Sequence, residues 1–217
     1  MTLTLRPHQL DAVNAMSNNT KGQVIVPTGG GKTMCMIEDV KKLFRQDSLP
    51  KTVVVVAPRI LLANQLSSEF LEQNLDDNYN QGVEVIHVHS GETHHKSTTK
   101  TDQLEYWYHN STDHILIFTT YHSLHRIQES GIPVNTIYFD EAHNSVQRRF
   151  FSATEHFATG VDRRCFFFTA TPKHSTTVER PGMNNEKVYG KVIINVPAPK
   201  LVKEGHILPP KVVIKKI

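Results

Sequence analysis

Residues 27–33 read Pro-Thr-Gly-Gly-Gly-Lys-Thr, and this stretch constrains the chain more than any other. Three consecutive glycines free the backbone to wrap tightly with its N–H groups pointing inward, which is the geometry of an anion cradle. An apolar run over 23–26 precedes the turn, and an amphipathic helix over about 32–45 follows it. Strand, glycine-rich turn and helix in that order set the positive end of a helix against the cradle. In the phosphate-loop pattern, Thr28, Gly29, Gly30 and Gly31 would line the anion, Lys32 would reach the β- and γ-phosphates, and the Thr33 hydroxyl would ligate Mg²⁺. The chain departs from the general pattern at Val26, where a glycine is usual. A purely structural glycine turn ahead of Lys-Thr is the plainer reading, and the strand before and helix after argue against it.

The rest of the chain alternates apolar runs with amphipathic stretches. Apolar spacing predicts helices over 8–18, 61–72, 104–109 and 145–158, and strands over 51–57, 83–88, 114–118, 134–139 and 165–169. Four consecutive valines, Val53 to Val56, suit a strand buried on both faces of a parallel sheet. Strands separated by helices imply right-handed crossovers and a doubly wound, mostly parallel α/β sheet flanked by helices. Ligands of such sheets bind at the C-terminal ends of the strands. Residues 90–102 read as an exposed polar loop, and 173–197 as a polar surface excursion.

A second motif follows the run over 134–139: Asp140-Glu141-Ala142-His143. A strand end would deliver Asp140 beside bound phosphates, where it holds Mg²⁺, while Glu141 orients and deprotonates an attacking water. Two adjacent acids at a strand terminus are costly unless a metal or protein cation offsets them. The alternative is an ordinary acidic helix start, and the phosphate loop upstream weighs against it.

The bulk properties exclude several classes. A 217-residue chain with 38% hydrophobic and 21% charged residues has enough apolar content for one packed domain. A formal charge of +3 permits a nucleic-acid partner without requiring one. Cys35 and Cys165 form no metal-binding pair and read as buried, reduced thiols, which fits an intracellular compartment. No window is apolar and long enough for a signal peptide or membrane span, so a soluble protein is expected. His87, His89, His94 and His95 cluster near a strand end, without the cysteine or paired acid that would complete a zinc set, and read as part of a polar loop. Tyr106, Trp107 and Tyr108 read as core or interface aromatics before base-stacking ones, and Arg148 with Arg149 as a solvated helix face.

With these motifs in order, the chain resembles the first RecA-like, phosphate-loop domain of superfamily-two helicases of the DExH/DEAH kind. Leu5-Arg6-Pro7-His8-Gln9 resembles the adenine-recognition motif, so the resemblance gives Gln9 the adenine edge and Arg6 a bracing role. Val56-Ala57-Pro58-Arg59 and the stretch Thr119-Thr120-Tyr121-His122-Ser123-Leu124 resemble the loops that grip the sugar-phosphate backbone, which nominates Arg59, Thr119 and Thr120. Thr169-Ala170-Thr171-Pro172 resembles the motif that couples the acidic motif to the nucleic-acid face, through Thr169, Thr171 and His143. The opening LRPHQ and the later EGHILPP resemble the branch of double-strand DNA translocases and restriction motor subunits, so DNA is expected before RNA.

The resemblance implies an ATP hydrolase using Mg²⁺, with Lys32, Asp140 and Glu141 catalytic. It divides the chain into a motor domain over 1–196 and a linker over 197–217 toward a second RecA-like domain. That second domain would supply arginine fingers, each worth on the order of 10³–10⁵ in rate, so this piece alone is expected to hydrolyse slowly. An ATP-gated nucleic-acid-binding module without unwinding activity uses the same residues, and a phosphate-loop small-molecule kinase is a third reading that the acidic and Thr-Ala-Thr motifs disfavour.

Overall fold

The computed structural model describes residues 4–46, 49–73 and 82–211. The first half of the chain runs α1 (Pro7–Ser17), β1 (Lys21–Ile25), α2 (Lys32–Gln46), β2 (Thr52–Ala57), α3 (Ile60–Glu72), β3 (Val83–Val88), β4 (Lys96–Ser97) and α4 (Thr101–Asn110). The second half runs β5 (His114–Thr120), α5 (Leu124–Ser130), β6 (Thr136–Phe139), a 3-10 turn (Ala142–Asn144), α6 (Arg148–Ala158), β7 (Arg164–Thr169), α7 (Glu186–Tyr189), β8 (Val192–Asn195) and α8 (Ala198–Lys203). The strands form one sheet in the order β4-β3-β5-β2-β6-β7-β1-β8. Every pairing is parallel, as the alternation of elements predicts.

The valine run in β2 shows why the sheet needs helices on both sides. Val53, Val55 and Ala57 enter one hydrophobic cluster with Val13 and Met16 of α1, Phe44 of α2 and Phe70 of α3. Val54 and Val56 enter a second with Leu104 of α4, Ile127 of α5 and Phe157 of α6. A strand alternates its side chains between faces, so only a strand covered twice tolerates apolar residues at every position. All four valines are fully buried, each worth roughly 1.5–3 kcal/mol relative to exposure.

One polar lock crosses the first of these layers. Asp39 of α2 is 2% exposed. It accepts two hydrogen bonds from the Arg164 guanidinium, Nη1 to Oδ2 and Nη2 to Oδ1, each at 2.9 Å. The Tyr138 hydroxyl donates to the same carboxylate, and Arg164 Nη2 also reaches the Met16 carbonyl at 3.1 Å. The lock ties α1 and α2 to β6 and β7, the elements that carry the motifs.

The structure bears on four expectations. Residues 173–197 are a surface excursion only in part: most of 173–181 are exposed, but Met183, Val188 and Tyr189 are buried, and β8 adds an eighth strand beside β1. Gln23, buried inside β1, is one of the ties, since its Nε2 donates to the Met183 carbonyl at 2.8 Å and the Gly190 carbonyl at 3.0 Å. Within the segment expected as a linker from residue 197, Leu201 of α8 is fully buried in the first cluster and Ile207 packs against it. Residues 212–217, the basic end of that expected linker, lie outside the described residues. His87 and His89 are not part of a polar loop: both are buried, with His87 Nδ1 3.0 Å from His89 Nε2 and His87 Nε2 3.1 Å from Ser67 Oγ. Finally, α6 starts at Arg148 instead of residue 145, because a 3-10 turn intervenes. The helix α5, absent from the sequence reading, follows the Thr119–Thr120 strand end.

Cys35 and Cys165 are buried free thiols as expected. Of the adjacent aromatics, Trp107 and Tyr108 pack against the second cluster while Tyr106 is exposed. No helix among the described residues is long and apolar enough to cross a membrane.

Candidate functional site

Strands β6, β7 and β1 are neighbours in the sheet. Each releases one motif from its C-terminal end: Asp140-Glu141 after β6, Thr169 at the end of β7, and the phosphate loop after β1. Register makes the three ends level, with Ile25 paired to Thr169 and Phe139 to Phe167. The Val26 N–H then donates to the Thr169 carbonyl at 3.1 Å.

In the phosphate loop, Gly29 and Gly31 have φ of 77° and 80°, a region that side chains disfavour. Gly30 is constrained by space: a Cβ there would lie 2.6 Å from Val26 Cγ1 and 2.9 Å from the Pro27 carbonyl oxygen. A Cβ on Gly31 would lie 2.3 Å from Gln9 Nε2. The loop is thus closed from behind by α1. Gln9 accepts from the Arg6 N–H through Oε1 at 2.8 Å and donates from Nε2 to the Gly31 carbonyl at 3.2 Å. His8 Nε2 sits 2.6 Å from the Gly30 carbonyl. Arg6 Nη1 is buried and has no hydrogen-bond partner among the described residues, which is unusual for a buried polar group.

Lys32 opens α2, and its side chain is 10% exposed. Its Nζ lies 3.3 Å from Glu141 Oε1, so the lysine proposed for phosphate and the acid proposed for water meet directly. Glu141 holds a left-handed backbone, φ 46° and ψ 51°, rare for a residue with a side chain and frequent at active sites. His143 Nδ1 lies 3.5 Å from Glu141 Oε2 and 2.9 Å from Thr169 Oγ1, and that hydroxyl oxygen accepts from the Thr171 N–H at 3.1 Å. Thr171 therefore joins through its backbone, while its side chain is exposed. Burial lowers the His143 pKa against the opposing pull of Glu141, with Lys173 and Lys32 adding to the lowering, so the neutral ring is favoured. Asp140 is pushed up to about 6, first by burial and then by Glu141, with Lys32 acting against both. A carboxylate held this way gains from a cation placed beside it. Thr28 and Gly29 are exposed and Thr33 half-buried, so the mouth of the loop is open.

A groove of about 710 Å³ lies beside this site, lined among others by Pro58, Arg59, Thr120, His122, Asn144 and Arg149. Arg59 and Arg149 are exposed, and Arg149 stacks 4.5 Å from the Phe150 ring centroid. Of the three backbone-gripping candidates, Arg59 and Thr120 border this groove. Thr119 does not: it is fully buried, and its hydroxyl donates to the Val88 carbonyl at 2.7 Å. Thr120 is itself only 3% exposed, which limits what its hydroxyl presents.

Sequence reasoning missed three contributors. Tyr121 OH donates to the Asp140 carbonyl at 2.7 Å, joining the groove to the acidic motif. Asn144 Nδ2 donates to the Glu141 carbonyl at 2.9 Å, supporting the left-handed turn. Arg149, taken as a solvated face, lines the groove. The sequence signals differ: Tyr121 lies inside the Thr119–Leu124 stretch, Asn144 directly follows the acidic motif, and Arg149 lies six residues beyond it.

A phosphate loop, an acidic strand end and a Thr-Ala-Thr turn on three adjacent parallel strands define the first RecA-like domain of a superfamily-two helicase motor. The chain belongs to the family described as Type III restriction enzyme, res subunit, which matches residues 2–174. Over 70 residues, 32% of this chain, it is 33% identical to the ATP-dependent helicase SGS1 of Saccharomyces cerevisiae, of which it covers 5%. Among solved structures, the Type ISP restriction-modification enzyme LlaGI, a nuclease-deletion mutant in complex with a DNA substrate mimic, aligns with a TM-score of 0.74. That match has 22% identity over 94% of this chain and 21% of the enzyme. The Type ISP enzyme LlaBIII bound to DNA gives 0.72 at 21% identity, over 94% of this chain and 16% of its own. The UvsW helicase from bacteriophage T4 gives 0.59 at 14% identity, over 88% and 60%. The chain spans only part of the length of each of these proteins.

Proposed function

We propose that this chain binds ATP with Mg²⁺ and forms one wall of a motor that moves on nucleic acid, on DNA in preference to RNA, with Asp140-Glu141-Ala142-His143 acting as a DEAH-type motif. The observation that carries the reading is the 3.3 Å contact between Lys32, at the start of α2, and Glu141, after β6. Without nucleotide the two neutralise each other. Phosphate competes for Lys32, because an anion of higher charge in a low-dielectric cradle outbids a single carboxylate. Glu141 is then released to orient a water and accept its proton.

The residues fit the group. The loop has no room for side chains at Gly30 and Gly31, and Arg6 Nη1 is buried without a hydrogen-bond partner among the described residues. Mg²⁺, when bound by Thr33 and Asp140, would neutralise charge on the phosphates and polarise the bond that breaks. Gln9, which already braces Gly31, has its adenine role by resemblance. His143 and Thr169 would pass the state of Glu141 to the turn at Thr171, and Tyr121 would pass that of Asp140 to the groove. Arg59 and Arg149 would contact phosphates there, a sequence-independent, salt-sensitive mode. The preference for DNA rests on the restriction enzymes it resembles, captured with DNA or its mimic. A second RecA-like domain would complete the ATP cleft, so turnover by this chain alone is slow.

The test is ATP turnover with and without single- and double-stranded DNA and RNA, by the longest natural form of the protein. Stimulation by DNA supports the proposal. Nucleotide binding with no stimulation by any polynucleotide favours an ATP-gated module instead.

A further inference from the structure

We propose that His8, Glu204 and His206 form a Zn²⁺ site that clips the segment after α8 onto the back of the phosphate loop. One ligand atom from each of these residues lies within 4.8 Å of the others, and no other group of three or more such side chains converges this way among the described residues.

The state of His8 points to a ligand. The ring is 1% exposed. Its Nε2 lies 2.6 Å from the Gly30 carbonyl oxygen, and a carbonyl only accepts, so Nε2 carries the proton. The other nitrogen, Nδ1, is buried without a hydrogen-bond partner among the described residues. A neutral ring in that tautomer presents a bare lone pair to its surroundings. This is the arrangement of metal-bound histidines, which donate the far N–H to a backbone carbonyl and ligate through the near nitrogen. A core histidine serving only as packing would be expected to satisfy both nitrogens.

The other two side chains are held by the way α8 ends. Gly205 has φ of 73°, its N–H donates to the Val202 carbonyl at 3.0 Å, and the His206 N–H donates to the Leu201 carbonyl at 2.8 Å. That pair of bonds is a Schellman closure, in which glycine takes the left-handed position. It turns the chain so that the His206 ring faces His8, with centroids 5.7 Å apart. His206 Nε2 lies 3.6 Å from Glu204 Oε2. Ligands on a tetrahedral zinc at about 2.0–2.1 Å end up about 3.4 Å apart, so the His206–Glu204 pair is already near that spacing, and a ring nitrogen of His8 lies within 4.8 Å of both. Two imidazoles and one carboxylate suit Zn²⁺ over Mg²⁺ or Ca²⁺, which favour all-oxygen sets. Water completes the fourth position. The site is distinct from Thr33 and Asp140, and the inference does not depend on ATP binding.

The experiment titrates the 217-residue chain with Zn²⁺ by calorimetry, without nucleotide and with excess Mg²⁺ present, and repeats it for His206→Ala, Glu204→Gln and His95→Ala. The two partly exposed ligands are chosen because substituting buried His8 risks misfolding. One equivalent of Zn²⁺ should bind, and His206→Ala and Glu204→Gln should each weaken it by about tenfold or more. His95→Ala, in the separate histidine cluster, should leave it unchanged. Zn²⁺ should also slow amide exchange at His206 and Ile207. Absence of binding overturns the site. So does binding that survives both ligand substitutions, or that is lost with His95→Ala.

Discussion

His87 should make this fold acid-sensitive in a defined window. It is fully buried, and its pKa is lowered from 6.5 to about 4, chiefly by burial and then by the nearby His89 and His95 rings. A histidine lowered in the folded state binds a proton more readily when unfolded. Stability from the neutral ring is therefore complete above pH 6.5 and is lost as pH falls through 6.5 toward 4. Each pH unit between the two values is worth about 1.4 kcal/mol, which caps the loss at about 3 kcal/mol. In a chain of this length that is a fall in Tm on the order of 10 °C. The test is His87→Gln, which keeps a hydrogen-bonding side chain that cannot ionise. Urea unfolding of both proteins from pH 7.5 to 4 gives a difference curve from which background carboxylate effects cancel. The native protein should lose about 3 kcal/mol relative to the variant across that range, whatever their offset at neutral pH. A flat difference curve, or an NMR titration of the His87 ring with a midpoint near 6.5, would refute the reasoning.

Lys32→Ala should reduce ATP affinity by at least about a hundredfold in a calorimetric titration, since it removes the cation closest to the cradle; unchanged affinity would remove Lys32 from the phosphate site. Glu141→Gln should bind ATP at least as well, because Lys32 loses its competing carboxylate, yet lose about 10²-fold or more in turnover; normal hydrolysis would move the base elsewhere. Arg164→Met should cost about 3–5 kcal/mol in urea unfolding by leaving the Asp39 carboxylate buried without its cation. Adding Asp39→Asn should recover part of that, and a loss below about 1 kcal/mol would show that the lock carries little.

How much of this was legible in the sequence follows from which signals are local. The alternation of β2 and its neighbours, the phosphate loop and the acidic strand end are contiguous patterns, and each falls on the element it predicts. What depends on a partner distant in the chain was not legible. Gln23 looks like any polar residue in a short strand until the Met183 and Gly190 carbonyls come to it, which is why 173–197 read as a surface excursion. Leu201 looks like part of a polar linker until it meets the first cluster. The Thr119 hydroxyl could point to groove or to strand, and only the position of Val88 decides. His8 sits inside a motif read for Gln9, and its unpaired nitrogen becomes visible only when Gly30 occupies the other one.

The strand that carries the phosphate loop has an unusual place in time as well as in space. Its two sheet partners are β7 and β8, and Lys21 pairs with Cys165, 165 − 21 = 144 positions later. At synthesis rates of about 5–20 residues per second, β1 waits roughly 7–30 s for either neighbour. During that interval Val24 and Ile25 have no ladder to join, while β2, β3 and β5 can already pair among themselves. The phosphate loop is thus expected to be among the last parts of the domain to become rigid, because loop-closure entropy slows the pairing of β1. In pulsed hydrogen exchange during refolding, the amides of Val24 and Ile25 should gain protection after those of Val54 and Val55. Until then, any chaperone scanning for unpaired apolar strand would find β1, the strand that leads into the phosphate loop, to hold.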